Sequence, residues 1–421
     1  MQSILGRTRA IALIAVPALA LGLAGCSTGG ASADPNTLTI ASGQKSAVAP
    51  LIAAFEKANP GVTVKPTYVE DDAAYTEQLR TQLSAGTAPD VFKTWPGGGS
   101  TGGTWALAKD GLLASLDDEP WASDVPDALR NVSSWDGTLY SLPANGGGIG
   151  AIYNDQAVAA AGATIPTTWS EVLDFCATAK AAGKVAYVLG NKDSWTAQMI
   201  PYALTATLVY GPDPTFGDEQ AAGTATFSDS KWKDALEKVD ELKSAGCFNE
   251  GPNGTGFDQQ MHMLGFGDAL ATVQVSQALP VDENVAPNTT FTLAPFPATD
   301  NAADTYVPVA AGVSFAINAK AKNAKLAKKF IDYVASPEGQ TLFAKLSNST
   351  STLPADPGEP NAVLDPIIKA QADGHGTSYP DQAWPNTKVQ EEYLISLQEF
   401  YNGDLTIPDF LKRLDDAYAA G

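Results

Sequence analysis

The segment 38–92, LTIASGQKSAVAPLIAAFEKANPGVTVKPTYVEDDAAYTEQLRTQLSAGTAPDVF, switches between two hydrophobic periods. Leu38-Thr39-Ile40 alternates as a strand. Val48, Leu51, Ile52 and Phe55 then fall at i, i+3, i+4 and i+7, which predicts a helix over about 47–58. Asn59-Pro60-Gly61 ends it. Val62 to Val69 alternates again, and Tyr75, Leu79 and Leu83 space a second helix stopped by Ala85-Gly86. Asp90-Val91-Phe92 reads as a short buried strand. The order β-α-β-α-β predicts an α/β fold, with a parallel sheet covered by helices on its faces.

Outward from this segment the alternation continues. Trp105 to Gly111 reads as a helix, Tyr140 to Pro143 as a short strand, and Val185 to Leu189 as another strand. Thr168-Trp169-Ser170-Glu171 has the spacing of a capping box, and the helix it starts turns Val172, Phe175, Cys176 and Ala179 inward. Trp232, Leu236, Val239 and Leu242 mark a further amphipathic helix, as do Leu326, Phe330, Ile331 and Val334. Val313 to Ile317 is a strand, and Thr406 caps a last helix with Pro408 in its first turn. There is no internal repeat and no heptad pattern.

The chain has 421 residues, 44% hydrophobic and 17% charged, which suits two or three domains or one large two-lobed unit. Lys and Arg total 26 against 47 Asp and Glu, for a net charge of −21. Such a surface repels phosphate backbones, so nucleic acid is not an expected partner. The two histidines, His262 and His375, belong to no metal-binding pattern, and no metal is expected. Gly97-x-Gly99-x-x-Gly102 mimics a dinucleotide fingerprint but does not lie on the first βα turn. It reads as a loop bending around a rim, and no cofactor is expected. Gly25-x-Ser27-x-Gly29 mimics a nucleophile elbow without the strand and helix that would flank one, so no catalytic motif remains.

Arg7 and Arg9 precede an apolar run, Ala10 to Ala24, too short to span a bilayer of roughly 30 Å. Residues 1–25 therefore read as an export signal. Leu23-Ala24-Gly25-Cys26-Ser27 resembles a bacterial lipobox, which implies that Cys26 carries a lipid. Residues 26–35 then form a tether, and the protein is expected on the outer face of the cell membrane, touching it through the anchor alone. Cys176 and Cys247 remain. An exported protein can oxidise such a pair, and Cys176 on an apolar helix face also suits a buried free thiol; both readings stay open.

Several motifs recur in order along the chain: Phe55-Glu56-Lys57-Ala58-Asn59-Pro60-Gly61-Val62, Leu83-Ser84-Ala85-Gly86-Thr87-Ala88-Pro89-Asp90-Val91, Ala108-Lys109-Asp110-Gly111-Leu112-Leu113 and Asp136-Gly137-Thr138-Leu139-Tyr140-Ser141-Leu142-Pro143. Ile152-Tyr153-Asn154, Ile165-Pro166-Thr167-Thr168-Trp169-Ser170-Glu171 and Phe315-Ala316-Ile317-Asn318 follow. With the lipobox, they resemble the extracellular solute-binding proteins of ABC importers, in the maltose and oligosaccharide group. The resemblance implies a two-lobed clamshell, each lobe a mainly parallel sheet flanked by helices, with the hinge crossed more than once. It places one lobe at 36–145 with 312–353 and the other at 146–311 with 354–421. It implies a monomeric receptor, not an enzyme, that captures a carbohydrate ligand and delivers it to ABC permease transmembrane subunits.

Parallel sheets bind ligands beyond the carboxyl ends of their strands. Applied to the strands above, that rule selects Ser42 and Gln44, then Glu70, Asp71 and Asp72, then Trp95, and then Asn145. The acids 70–72 also suit a helix N-terminus. A pyranose needs planar hydrogen-bonding side chains at its edges and flat aromatic surfaces against its C–H faces. Trp95, Trp195 and Trp384 stand in loops beside Gly, Pro, Asn or Asp and suit that task, whereas Trp105 and Trp232 read as helix packing and Trp169 as structural. Asn191, Asp193 and Trp195 bring amide, acid and indole together after a strand. In the family, the region matching Tyr379–Asn386 lines the cleft. The family often has a Trp after a Gly-x-Ala-Ala-Met-like stretch; Gly267 to Gln277 has none, so Gln274 or Ser276 takes the contact or that platform is absent. Two rivals remain: a receptor for a cation such as a polyamine, with Glu70, Asp71 or Asp193 as counter-charges, and a surface glycosidase, which needs two carboxyls roughly 5–10 Å apart.

Overall fold

The computed structural model describes residues 34–279, 284–355 and 362–420. The expected export signal, the lipobox-like segment and Cys26 lie outside the described residues. The first sheet has the strand order β2-β1-β3-β12-β6, with β1 Thr37–Ser42, β2 Thr63–Tyr68, β3 Val91–Thr94, β6 Ser141–Pro143 and β12 Ser314–Ile317. β1 pairs parallel with β2 and β3. Helices Lys45–Ala58, Ala324–Ala335 and Pro337–Leu346 bury Leu51, Phe55, Phe330 and Phe343 on one face. On the other face, helices Asp72–Ala85 and Thr104–Lys109 bury Tyr75, Leu79, Leu83 and Leu107 against Phe92. A two-stranded ribbon, β4 Ser134–Trp135 with β5 Thr138–Leu139, stands beside this sheet.

The second sheet runs β13-β11-β7-β9-β8, with β10 also on β7. Its members are β7 Gly146–Asn154, β8 Val185–Tyr187, β9 Ala269–Val275, β10 Phe291–Ala294, β11 Val307–Ala311 and β13 Gly376–Thr377. Both sheets are mixed where a mainly parallel arrangement was expected. β12 is antiparallel to β3 and β6, and β7 is antiparallel to β9, β10 and β11. The strands that break the parallel pattern are those next to the crossings, where the chain leaves one sheet and enters the other. β7 itself was not legible as a strand, because Gly146-Gly147-Gly148 and Gly150 weaken strand propensity. The structure shows what the glycines permit. A Cβ on Gly150 would stand 2.6 Å from the Ala294 carbonyl oxygen, and one on Gly148 2.4 Å from Ile367 Cγ2.

The chain crosses between the sheets from β6 to β7 and from β11 to β12, and Thr350 bridges to Gly146 at a third crossing. Asn145 binds all three. Its Oδ1 accepts from the Val313 N–H at 3.0 Å, its Nδ2 donates to Ser347 Oγ at 3.1 Å, and its carbonyl accepts from the Gly312 N–H at 2.9 Å. Asn145 was expected at the ligand. It is fully buried instead, with both ends of its amide committed to the hinge. The capping box at Thr168 and Glu171 forms as the spacing predicts, and so does the Thr406 cap.

Cys176, on helix Trp169–Ala181, is joined by a disulfide to Cys247, which follows helix Trp232–Ala245. The bond closes a separation of 71 residues in sequence. Replacing both cysteines by Ala is expected to cost about 2–4 kcal/mol, chiefly by freeing the unfolded chain. Urea unfolding of the variant beside the reduced and oxidised parent checks this, and an unchanged midpoint in all three would refute it.

Candidate ligand-binding cleft

A cavity of about 910 Å³ lies between the two sheets. Gln44, Glu70, Lys93 and Trp95 line it from the first sheet, and Asp193, Trp195, Phe257 and Asp381 from the side of the second. Gly312, Val313 and Ser347 line it at the crossings.

On the first side the geometry follows from strand ends. Gln44 stands just after β1 with φ 50°, a left-handed conformation uncommon outside glycine. Glu70 holds that turn: its carboxylate accepts from the N–H groups of Gln44 at 3.1 Å and Lys45 at 3.2 Å. It thereby satisfies donors at the start of helix Lys45–Ala58. Asp71 caps the next helix, accepting from the Ala74 N–H at 2.7 Å. Asp72 pairs with Lys93 at 2.5 Å. Lys93 is 3% exposed on β3, and its ammonium stands 4.5 Å from the Trp95 ring and 5.3 Å from that of Tyr75. Sequence reading missed Lys93, because a single Lys in a short strand reads as a solvent-facing position.

On the opposite side Trp195 and Phe257 lie side by side, ring centroids 5.1 Å apart, both half-buried at the cavity wall. Asp193 fixes this pair, its carboxylate accepting from the Phe257 N–H at 2.6 Å. Three expected residues lie elsewhere. Asn191 is buried behind the wall, with no partner on either amide atom, while its carbonyl accepts from Gln398 at 2.7 Å. Gln274 is fully buried; its amide meets Gln260 and the Val275 N–H, and Val275 and Gln277 line the cavity in its place. Trp384 is 2% exposed and packs among Tyr202, Phe227 and Tyr393 in the second core. Its Pro and Asn neighbours suggested a surface loop. The turn that carries it instead folds the indole inward just before helix Thr387–Asn402, whose Val389 and Tyr393 are core residues.

The same turn falls in the stretch 379–386 that the family resemblance assigns to the cleft, although its individual cavity residues were not singled out. Asp381 and Gln382 line the cavity with Tyr379. Burial pushes the Asp381 carboxyl up to about 6, against the opposing pull of the Tyr202 hydroxyl. Gln277 lines the cavity beside the crossings, close to Gly147 and Gly312. Three cavity-lining side chains hold a buried polar atom without a partner: Gln44 Oε1, Gln277 Nε2 and Asp381 Oδ1. Buried polar atoms are ordinarily paired, and each unpaired one costs about 1–3 kcal/mol. A ligand rich in groups that both donate and accept would relieve that cost. Among the described residues no cluster of three or more His, Cys, Asp or Glu could hold a metal ion, and no helix is long and apolar enough to cross a membrane.

Comparison with known proteins agrees with the fold. The family model for bacterial extracellular solute-binding proteins matches residues 40–341. The multiple sugar-binding protein of Streptococcus mutans is 24% identical over 326 residues, covering 76% of this chain and 75% of its own. A structure of the receptor RafE in complex with raffinose superposes with a TM-score of 0.74 at 20% identity, over 91% of this chain and 98% of that one. A chitin oligosaccharide binding protein also superposes with a TM-score of 0.74, at 23% identity over 89% and 94% of the two chains. By sequence along most of its length and by its two-lobed architecture, the chain belongs to the bacterial extracellular solute-binding proteins.

Proposed function

We propose that the cleft receives a sugar or short oligosaccharide, and that the protein, held to the outer face of the membrane by lipid on Cys26, hands it to an ABC permease. The observation that carries this reading is the pairing of partnerless polar atoms with aromatic surface. Gln44, Gln277 and Asp381 can meet hydroxyls, while Trp195 with Phe257, and Trp95 across from them, can meet C–H faces. RafE and the chitin oligosaccharide binding protein, whose names point to saccharides, share this fold. Lobes at 36–145 with 312–353 and 146–311 with 354–421 suit the way the strands divide between the sheets. Contact with both lobes would stabilise closure about the Asn145 hinge.

The three acids expected as counter-charges for a polyamine are already engaged. Glu70, Asp71 and Asp193 already accept from backbone N–H groups, and Asp72 is neutralised by Lys93, whose own ammonium lines the cavity. Those commitments also leave them poorly placed as a catalytic pair, and we read the protein as a receptor that binds without transforming its ligand.

A thermal-shift screen against raffinose, stachyose, xylo-oligosaccharides and chito-oligosaccharides, with spermidine as the rival, tests the proposal by mass action on the folded state. At least one saccharide is expected to raise the midpoint. A shift with spermidine alone, weakening steeply with salt, would replace this reading by the cationic one. Trp95→Ala and Trp195→Ala should each erase most of the sugar-induced shift. Trp384→Ala should instead destabilise the free protein by about 3–5 kcal/mol, as truncation of a core aromatic does. Full affinity in both cleft variants would show that the stacking surface lies elsewhere.

Asp381 gives the pH dependence its sign. The ionised carboxylate is the stronger acceptor for hydroxyls, so ligand affinity should rise with pH through about 6. Between pH 7 and pH 5 the ionised fraction of such a group falls about tenfold, which sets the largest loss of affinity. In the free protein the sign reverses. A raised carboxyl holds its proton more tightly folded than unfolded, so its contribution to stability declines as pH climbs from the ordinary carboxyl range through about 6. Calorimetric titration across this range should show the slope in the parent and a flat profile in Asp381→Asn.

A further inference from the structure

The glycine run that mimics a dinucleotide fingerprint does something else. Gly97, Gly98 and Gly99 lie backbone to backbone against Asp381–Trp384. A Cβ on Gly97 would stand 2.0 Å from the Gln382 carbonyl oxygen, one on Gly98 2.5 Å from that of Trp384, and one on Gly99 2.7 Å from that of Asp381. The Gly98 N–H points at the Gln382 carbonyl, 3.4 Å away.

The two sides of this seam belong to opposite halves of the molecule. The glycines follow β3 of the first sheet, and the Gly97 N–H is anchored on that side by the Val132 carbonyl at 2.7 Å. The turn Pro380–Ala383 leads into helix Thr387–Asn402 of the second core, and the Gln382 side chain donates to the Ala311 carbonyl of β11 at 2.9 Å. The residues that flank the seam line the cavity: Trp95 and Pro96 on one side, Asp381 and Gln382 on the other. The cavity therefore stops where the seam begins. The Trp105 ring and the Asp381 Cβ also close on the run, 2.7 Å from a Cβ on Gly98 and 2.9 Å from one on Gly99, so the seam has no room for a sugar chain to thread through.

We propose that this seam seals one end of the cleft, so that the receptor takes its saccharide by a terminal ring, seated between Trp95 and Asp381, and cannot grip the middle of a chain. The proposal rests on the sugar reading above and adds a direction to it. The partnerless Asp381 Oδ1 stands at the sealed end, where it would meet hydroxyls that only a chain terminus leaves unsubstituted.

The test uses xylotetraose and chitotetraose, unlabelled and with a bulky fluorophore on either the reducing or the non-reducing end, titrated calorimetrically into the protein. For whichever tetrasaccharide binds, a label on one end should leave affinity within about threefold, and a label on the other should weaken it by more than about tenfold. Equal tolerance of both labels, or equal loss from both, overturns the proposal. If neither tetrasaccharide binds, the two labels are placed instead on the ends of whichever saccharide of the thermal-shift screen does, and absence of binding by every saccharide of that screen would sink the sugar reading and this inference with it. Gly99→Ala supplies a second arm. Its position has no positive φ, so the added methyl acts through space alone, forcing the seam apart at the Asp381 carbonyl. The variant, checked for folding by circular dichroism, should lose discrimination between the two labels. Unchanged discrimination in a folded Gly99→Ala protein would also overturn the proposal.

Discussion

Three backbone crossings held by the two ends of one buried amide set the distance between the sheets. Asn145 joins Val313 to Ser347 through its side chain and takes Gly312 on its carbonyl. Gln340 secures the same region from the helix Pro337–Leu346. Its Oε1 accepts from the Thr352 and Leu353 N–H groups, and its Nε2 meets the Ala144 carbonyl. Both amides are buried, where a hydrogen bond is strong and an unmade one is costly. The hinge is thus specified by polar groups in a dry place, which fixes where each half begins without filling the space between. The cleft is the volume left over.

That cleft gathers charge while spending most of it on structure. Glu70 and Asp71 start the helices that follow β1 and β2, and Asp193 holds the start of helix Phe257–Gly265. The strand-end rule that selects ligand-binding positions therefore also selects helix caps, because the chain leaves a strand end directly into a helix start. Only the local hydrogen bonds distinguish the two roles. Lys93 is held by Asp72 and by two aromatic rings, so a full cation sits at the wall without leaving a bare charge. What remains unpaired is two amides and one carboxyl, which burial raises to about 6.

The legible parts of the sequence were those where local period and burial agree. The β-α-β-α-β opening, the capping box at Thr168 and the Thr406 cap depend on neighbours within a few residues, and the structure shows each of them. β7 was illegible because its glycines are dictated by what crosses it, from Ala294 and Ile367, far along the chain. Trp384 misled for the same reason. Loop-like neighbours describe the backbone of its turn, while the direction of its indole is set by Tyr202, Phe227 and Tyr393. In the cleft, Gln44, Glu70, Asp71, Trp95, Asp193 and Trp195 reach the wall, since strand ends position them locally. Gln277 is brought there by the packing of one half against the other, which no local pattern records, and the stretch holding Asp381 was legible only through the family resemblance.

The turn Pro380–Ala383 shows how the core and the cleft are coupled. Asp381 faces the cavity and Trp384, three residues on, faces the aromatic core, so one short 3₁₀ turn and its C-cap join the cavity to the core. Tyr202 touches both. Its hydroxyl donates to Gln390 Oε1 at 3.3 Å and pulls the Asp381 carboxyl down against burial, and its ring stacks on Tyr393 at 5.7 Å and stands edge-on to Trp384. A ligand hydroxyl that donated to Asp381 would favour the ionised carboxylate. The far side of that turn lies against Gly97, Gly98 and Gly99. Core packing at Trp384, though remote from any sugar face, would act on affinity by holding Asp381 in place, which is the role that a buried indole can play and a stacking platform cannot.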